Sequence, residues 1–191
     1  QSLLQETSEE KREQRVFEVV NQLNLGVQYA QTQAERINLA RLNLTAGQKA
    51  KSSAAHDAAY QYLQTGLRIL GNTPEIWQTQ PDLAFSLHLL CAEAASLTDK
   101  TDEMEVLLNT ALQHAQTADE QAMIYEIRLF ASIAHDNRQA ALKMGLAALD
   151  LLGVHFPLKP NMLQILAALI KVRLMLQGKS DESLLNLPLA T

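Results

Sequence analysis

The sequence predicts an all-α fold, a stack of antiparallel helical hairpins. Three observations carry that reading. Small residues recur where helices would have to touch: Gly47, Ala59 and Gly66, then Ala92 and Ala111, then Ala141 and Ala148. Apolar residues follow helical spacing along most of the 191 residues, and no convincing period-two strand interrupts them. Seven Gly and five Pro are too few turn formers for an all-β domain. Two helices approach closely only where one side of the contact is small, so recurring Gly and Ala mark contacts between rods.

Thr7 and Glu10 fit a capping box that opens a first helix, with Val16, Val19, Val20, Leu23 and Val27 at helical spacing to about Tyr29. A second helix starts near Thr32 and ends around Lys51, with Ile37, Leu39, Ala40, Leu42, Leu44 and Ala46 on a wide apolar face. Ser52 and Ser53 offer a cap for the third, which carries Ala55, Ala59, Leu63, Gly66, Leu67 and Leu70. Gly71-Asn72-Thr73-Pro74 stops it. Pro81-Asp82 opens a long helix through Leu97, a polar turn follows, and Thr101 to Leu112 returns. A further pair covers about Asp119 to Ala134 and Asn137 to Leu152, turning at His135-Asp136-Asn137. Gly153 ends it, and Pro157 and Pro160 make a stiff break. The last long helix, about Met162 to Gln177, is too short and too charged at Lys171 and Arg173 to span a bilayer, and reads as buried core. A short amphipathic piece, Glu182 to Asn186, follows. Helices of this length joined by short turns imply antiparallel neighbours.

The chain is 47% hydrophobic and only 5% aromatic, so its core is aliphatic and alanine-rich. A net charge of −5 disfavours general nucleic-acid binding, which needs clustered Lys and Arg. No signal peptide is visible, and Cys91 stands alone, so a reducing cytoplasm is the simplest location. The first residue is Gln1, not Met, and the chain reads as a piece of a longer one.

The small residues fit the tetratricopeptide pattern, a helix-turn-helix of about 34 residues with small side chains at set points. Gly47 takes the helix-A position of the first unit, and Ala59 and Gly66 the two helix-B positions, with the larger Leu63 between them. Ala92 and Ala111 match in the second unit, where Met104 replaces the middle small residue. Ala141 and Ala148 match in the third, where Leu129 replaces the helix-A glycine. The last small positions are 45 and then 37 residues apart, so the repeat is degenerate. The expected architecture is a right-handed, tetratricopeptide-like α-solenoid. An N-terminal helix spans 1–31, three degenerate hairpins span 32–153, and capping helices span 160–191. An irregular helical bundle is the alternative.

No group of residues assembles into a reactive set. His56, His88, His114, His135 and His155 show no metal-ligand spacing. Cys91 lies in an apolar helical run and reads as a buried, inert thiol. Gly47-Gln48-Lys49 lacks the spaced first glycine of a phosphate loop. No cofactor and no metal are expected. Met104, Met123, Met144, Met162 and Met175 fall at core-like positions, and Trp77 and Phe156 read as loop anchors near prolines. The charges from Glu9 to Arg15 read as a solvated helix face.

Several runs resemble a segment of very large bacterial signalling proteins. They are Arg12 to Phe17, Val20-Asn21-Gln22-Leu23-Asn24, Leu42 to Lys51, Ala58 to Leu63, Val106 to Gln116, Val154 to Pro160, and Lys179 through Pro188. The resemblance covers nearly the whole chain and is most specific in Leu42 to Lys51. It is to multi-sensor hybrid kinases. There a serine/threonine-kinase-like domain precedes an AAA-type signalling ATPase, then a long tetratricopeptide-like helical region, then GAF or PAS sensors and a histidine kinase or another output domain. This chain is similar to the start of that helical region. The resemblance therefore implies a non-catalytic segment of a protein kinase with an ATPase module. No kinase or ATPase motif lies within it, so no catalytic residue is carried over.

Two functions follow as expectations. The first is a sensing and coupling segment that holds a protein, a peptide or a neighbouring domain in its groove. In tetratricopeptide hairpins helix A lines the groove, which here places Arg41, Leu44, Gln48, Lys51, Ser86, Leu89, Glu93, Glu126 and Phe130 along it. Arg41 and Lys51, close to three turns apart, share a face and either clamp a carboxylate or form a solvated pair. The second function is a spacer or homodimerisation element without a ligand. An independent helical enzyme would need polar residues converging in a pocket. Neither nucleic acid nor membrane insertion is expected.

Overall fold

The computed structural model describes residues 15–30, 32–155 and 161–176, and every statement below concerns these. They are helical, without a strand among them. Helix α1 covers residues 15–25 and is followed by a 3-10 turn, Val27–Tyr29. Then come α2 (Gln33–Ser52), α3 (His56–Leu70), α4 (Pro74–Thr79), α5 (Pro81–Ser96), α6 (Thr101–His114), α7 (Ala118–Ala134), α8 (Arg138–Leu151) and α9 (Met162–Leu176). The chain divides after Gly153 into two compact units, so α9 is described by itself.

Local chemistry sets most helix ends. Thr32 and Thr117 each close a capping box with the glutamate three residues on, Glu35 and Glu120. Asn137 caps α8 through the Ala140 amide. Pro74 and Pro81 occupy first turns, where a missing N–H costs nothing. Gly71 (φ 78°) and Gly153 (φ 77°) take left-handed backbone just after α3 and α8.

Three pairs form hairpins: α2 with α3, α5 with α6, and α7 with α8. Each turns through one non-glycine residue in the left-handed region: Ala54 (φ 57°), Asp99 (φ 57°) and Asp136 (φ 52°). In each the following amide reaches back five residues, Ala55 to the Ala50 carbonyl, Lys100 to Ala95 and Asn137 to Ser132, at 2.8–2.9 Å. This is the bond that closes a Schellman turn. Contacts of α3 with α5, and of α5 and α6 with α7, join successive hairpins.

These turns stand at constant offsets from the small positions. Seven residues before each lies Gly47, Ala92 or Leu129; five after lies Ala59, Met104 or Ala141; twelve after lies Gly66, Ala111 or Ala148. Nine after lies Leu63, Leu108 or Gly145. A Cβ placed on Gly47 would sit 2.5 Å from Leu63 Cγ, so the leucine fills the space that the glycine vacates. In the third hairpin the sizes are exchanged: Leu129 now faces Gly145, with its methyls 3.8–3.9 Å from a Cβ built there. The leucine at the helix-A position is therefore matched by a glycine across the hairpin. Between hairpins, Leu87 of α5 comes within 2.9 Å of a Cβ built on Gly66. The unequal intervals arise between hairpins, where ten residues including α4 link α3 to α5 but three link α6 to α7.

The two buried polar side chains, Asn43 and His88, occupy the same register, eleven residues before the turn residue. Each bonds the carbonyl four residues earlier, Asn43 Nδ2 to Leu39 at 2.9 Å and His88 Nδ1 to Ala84 at 2.8 Å. Asn43 also exchanges two amide bonds with Asn24 of α1, at 2.9 and 2.8 Å. Phe17 stacks on Tyr62, and Tyr62 donates to Asn21, so α1 is held to both α2 and α3.

Several expectations are corrected. The first helix stops at residue 25, because the chain leaves the α-helix at Gly26 and tightens into the 3-10 turn. Ser52 belongs to α2 and bonds back to the Lys49 carbonyl, and Ser53 is its C-cap; α3 starts after Ala55 without a side-chain cap. Trp77 is no loop anchor but a buried residue of α4. Met123 is 48% and Met162 81% exposed, so they do not fill a core, whereas Met104 is buried. The described side chains of α9 are exposed, because apolar composition alone supplies no covering face. The Thr7–Glu10 box, Phe156, Pro157, Pro160, Met175's side chain and the piece from Glu182 lie outside the described residues, as do all but Arg15 of the charges from Glu9.

Two expectations test the packing. Ala111→Glu inserts a charge at a fully buried contact and lowers stability by about 3 kcal/mol or more. Gln113→Glu, exposed on the same helix, changes it by under about 0.5 kcal/mol in matched thermal melts. Gly47→Leu is similarly destabilising alone, but Gly47→Leu with Leu63→Gly reproduces the third hairpin and returns to within about 1.5 kcal/mol of the parent.

Candidate functional site

Two side-chain recesses of the first unit gather on α7. One, about 490 Å³, is lined by Lys51, Leu89, Glu93, Ser96, Leu97, Met123, Glu126, Ile127 and Phe130. It lies where the end of α2 faces α5 and α7. A second, about 620 Å³, runs between α7 and α8 and shares Met123 and Glu126 with the first. The two recesses therefore meet along one face of α7 and form a single trough.

Five of the nine groove residues expected from sequence come together here: Lys51, Leu89, Glu93, Glu126 and Phe130. Arg41, Leu44, Gln48 and Ser86 do not line it. Arg41 donates to the Gln80 side chain at the α4–α5 junction. Lys51 pairs with Glu93, so the two cations serve separate acceptors within the chain. Ser96, Leu97, Met123 and Ile127 were missed by sequence reasoning. Ser96, Met123 and Ile127 lie three residues from Glu93, Glu126 and Phe130, one helical turn along the same face, which is the signal that would have found them.

The trough is apolar with charged margins. Phe130 is 59% exposed and Leu97 51%, both larger than an ordinary solvent-facing helix position needs. The Lys51–Glu93 pair is partly exposed, so solvent screening limits it to about 1 kcal/mol or less. Its main effect is to leave Glu126 as the unbalanced charge of the first recess. Beneath, Arg128 ties α7 to α6 through Glu105 at 3.0 Å and Asn109 at 2.7 Å, which steadies the wall that carries Glu126 and Phe130.

No reactive centre assembles elsewhere among the described residues. Cys91 is buried, and burial pushes its thiol up to about 12, which leaves it inert at neutral pH. No three His, Cys, Asp or Glu side chains gather as a metal site. His88 and His114 flank the Trp77 ring, with ring centroids 5.0 and 4.0 Å away. Burial pushes the His88 imidazole below its ordinary range, the bond to Ala84 opposes this, and the nearby His114 adds to the lowering. No described helix is long and apolar enough to cross a membrane.

Fold and trough define an all-helical protein with a surface recess, and its sequence similarity is to kinase-associated signalling. The chain is 33% identical over 108 residues to hybrid signal transduction histidine kinase G of Dictyostelium discoideum, a match that covers 53% of the chain. The match spans 3% of that relative's length, so the similarity is to a small segment of a signalling protein. A bacterial origin is not carried by this match. No family model and no solved structure matches the chain.

The His88 environment sets a pH dependence. The unfolded chain takes up a proton near pH 6.5, whereas the folded ring resists it, so stability falls as pH drops below about 6.5. Thermal melts between pH 7.5 and 5.5 are expected to show this loss, and His88→Leu to flatten it.

Proposed function

We propose that the chain is a non-catalytic, tetratricopeptide-like sensing and coupling segment of a multidomain signalling kinase, with a partner held in the α7 trough. The observation that carries this reading is the convergence of Lys51, Leu89, Glu93, Glu126 and Phe130 on one recess. All five stand at helix-A positions of the tetratricopeptide pattern. The constant offset between turn residues and small positions supports a stack of three repeating hairpins over 32–153, which we take to be a right-handed solenoid. The match to a hybrid histidine kinase supports the signalling context. The resemblance to multi-sensor kinases adds a neighbouring AAA-type ATPase and a bacterial source, and the lone Cys91 favours a cytoplasmic setting. Arg41, Leu44, Gln48 and Ser86 extend the proposed contact surface along α2 and α5.

A ligand shifts such a protein only by preferring one arrangement of the stack over another. The partner would bridge α2, α5 and α7, whose lining residues come from three successive hairpins, and so would favour one curvature. The test is Phe130→Asp in the full-length parent. The expected result is a change of about five-fold or more in regulated autophosphorylation, the size of a modest coupling energy, at unchanged melting temperature. Unaltered regulation would favour the second reading, a spacer or homodimerisation element. That reading draws on α9, where Leu163, Leu166 and Leu169 are exposed. Concentration-dependent light scattering of the chain separates the two.

A further inference from the structure

We propose that the cleft between α7 and α8 is a docking site for a basic amphipathic helix of a partner protein. The inference rests on the partner-binding reading of the trough and names the chemistry of what enters it. The chain itself shows what this position accepts. In the first hairpin Gly66, twelve residues past the turn, receives the side chain of Leu87 from a helix laid across it. Ala148 stands at that same offset in the third hairpin. Within the first unit it lines a cleft of about 620 Å³. Gly145, which a Cβ could join without a close clash, lies beside it and keeps the floor low. A flat floor of Gly and Ala admits a helix at close range, and the aliphatic Leu149 and Leu152 offer the walls for its apolar stripe.

Charge decides the flank of that helix. Asp119 and Glu126 line the cleft, and neither takes part in an ion pair among the described residues. Lys51, the cation of the adjoining recess, is already matched by Glu93. An incoming helix with Lys or Arg beside its apolar stripe meets two unmatched carboxylates, whereas an acidic one meets repulsion.

The test uses the 191-residue chain and two dye-labelled amphipathic peptides of about 14 residues, roughly four helical turns. One carries Leu on one face and Lys on the other, and its counterpart carries Glu in place of Lys. Fluorescence anisotropy is expected to show the Lys peptide binding at least about tenfold more tightly. Glu126→Lys should remove most of that preference. Ala148→Trp, which raises the floor, should weaken binding with the helical circular dichroism intact. Glu18→Lys, an equal charge change on α1, should leave affinity unchanged. Equal or tighter binding of the Glu peptide overturns the inference, as does a Glu18→Lys effect equal to that of Glu126→Lys, which would mean general attraction to an acidic chain. Self-association of the chain that Ala148→Trp abolishes assigns the cleft to a second copy and also overturns it. Binding of neither peptide overturns this inference alone if Phe130→Asp still alters regulation in the parent; if that too has no effect, the partner-binding reading falls with it.

Discussion

One steric constraint organises the first hairpin: where its two helices cross, a large side chain faces a missing one. Leu63 occupies the volume beside Gly47, and no rotamer of a larger residue at 47 fits while that leucine stays. Glycine and alanine lose no side-chain entropy on burial, but a glycine within a helix, as at 47 and 66, costs about 0.5–1 kcal/mol of backbone entropy relative to alanine. The few rings in the core, Tyr60, Trp77 and Phe85, are set among these aliphatic contacts, with Trp77 between His88 and His114.

The constraint concerns the sum of two side chains, not the identity of either. Leu129 opposite Gly145 is a looser version of Gly47 opposite Leu63, with the bulk moved to the other helix and room left for a Cβ at 145. The exchange has a further effect on α8. Glycine at 145 and alanine at 148 leave its surface low, and the trough opens over them. The part of the unit that packs least tightly is thus the part that presents apolar surface beside unbalanced carboxylates.

Much of this was legible in the chain. Long helices declare themselves through 3.6-residue periodicity and through breakers such as Gly71-Asn72-Thr73-Pro74 and Gly153. The small positions were readable because their spacing of twelve and then seven recurs in each hairpin even where Met104 or Leu129 departs from type. Helix α4 escaped notice because six residues are too few to show a period. The register read along α2, α5 and α7 found five trough residues, but pairing of Lys51 with Glu93, 42 residues on, depends on how hairpins lie together. Exposure of α9 was likewise invisible, since an apolar sequence states a preference for burial without saying whether a surface is present to satisfy it.

The amide pair between Asn24 and Asn43 gives α1 a mechanical role. Apolar side chains alone would let one helix creep along another at little cost, since one methyl contact replaces the next. Two reciprocal bonds with fixed direction oppose that: a shift of even one residue takes the Asn24 donor away from the buried Asn43 Oδ1, while Asn43 Nδ2 keeps only the Leu39 carbonyl. The pair therefore fixes the register of α1 on α2. Asn43 lies against Gly66, in the seam that Leu87 of the next hairpin fills, so that register is set at a contact between hairpins and not at a free surface.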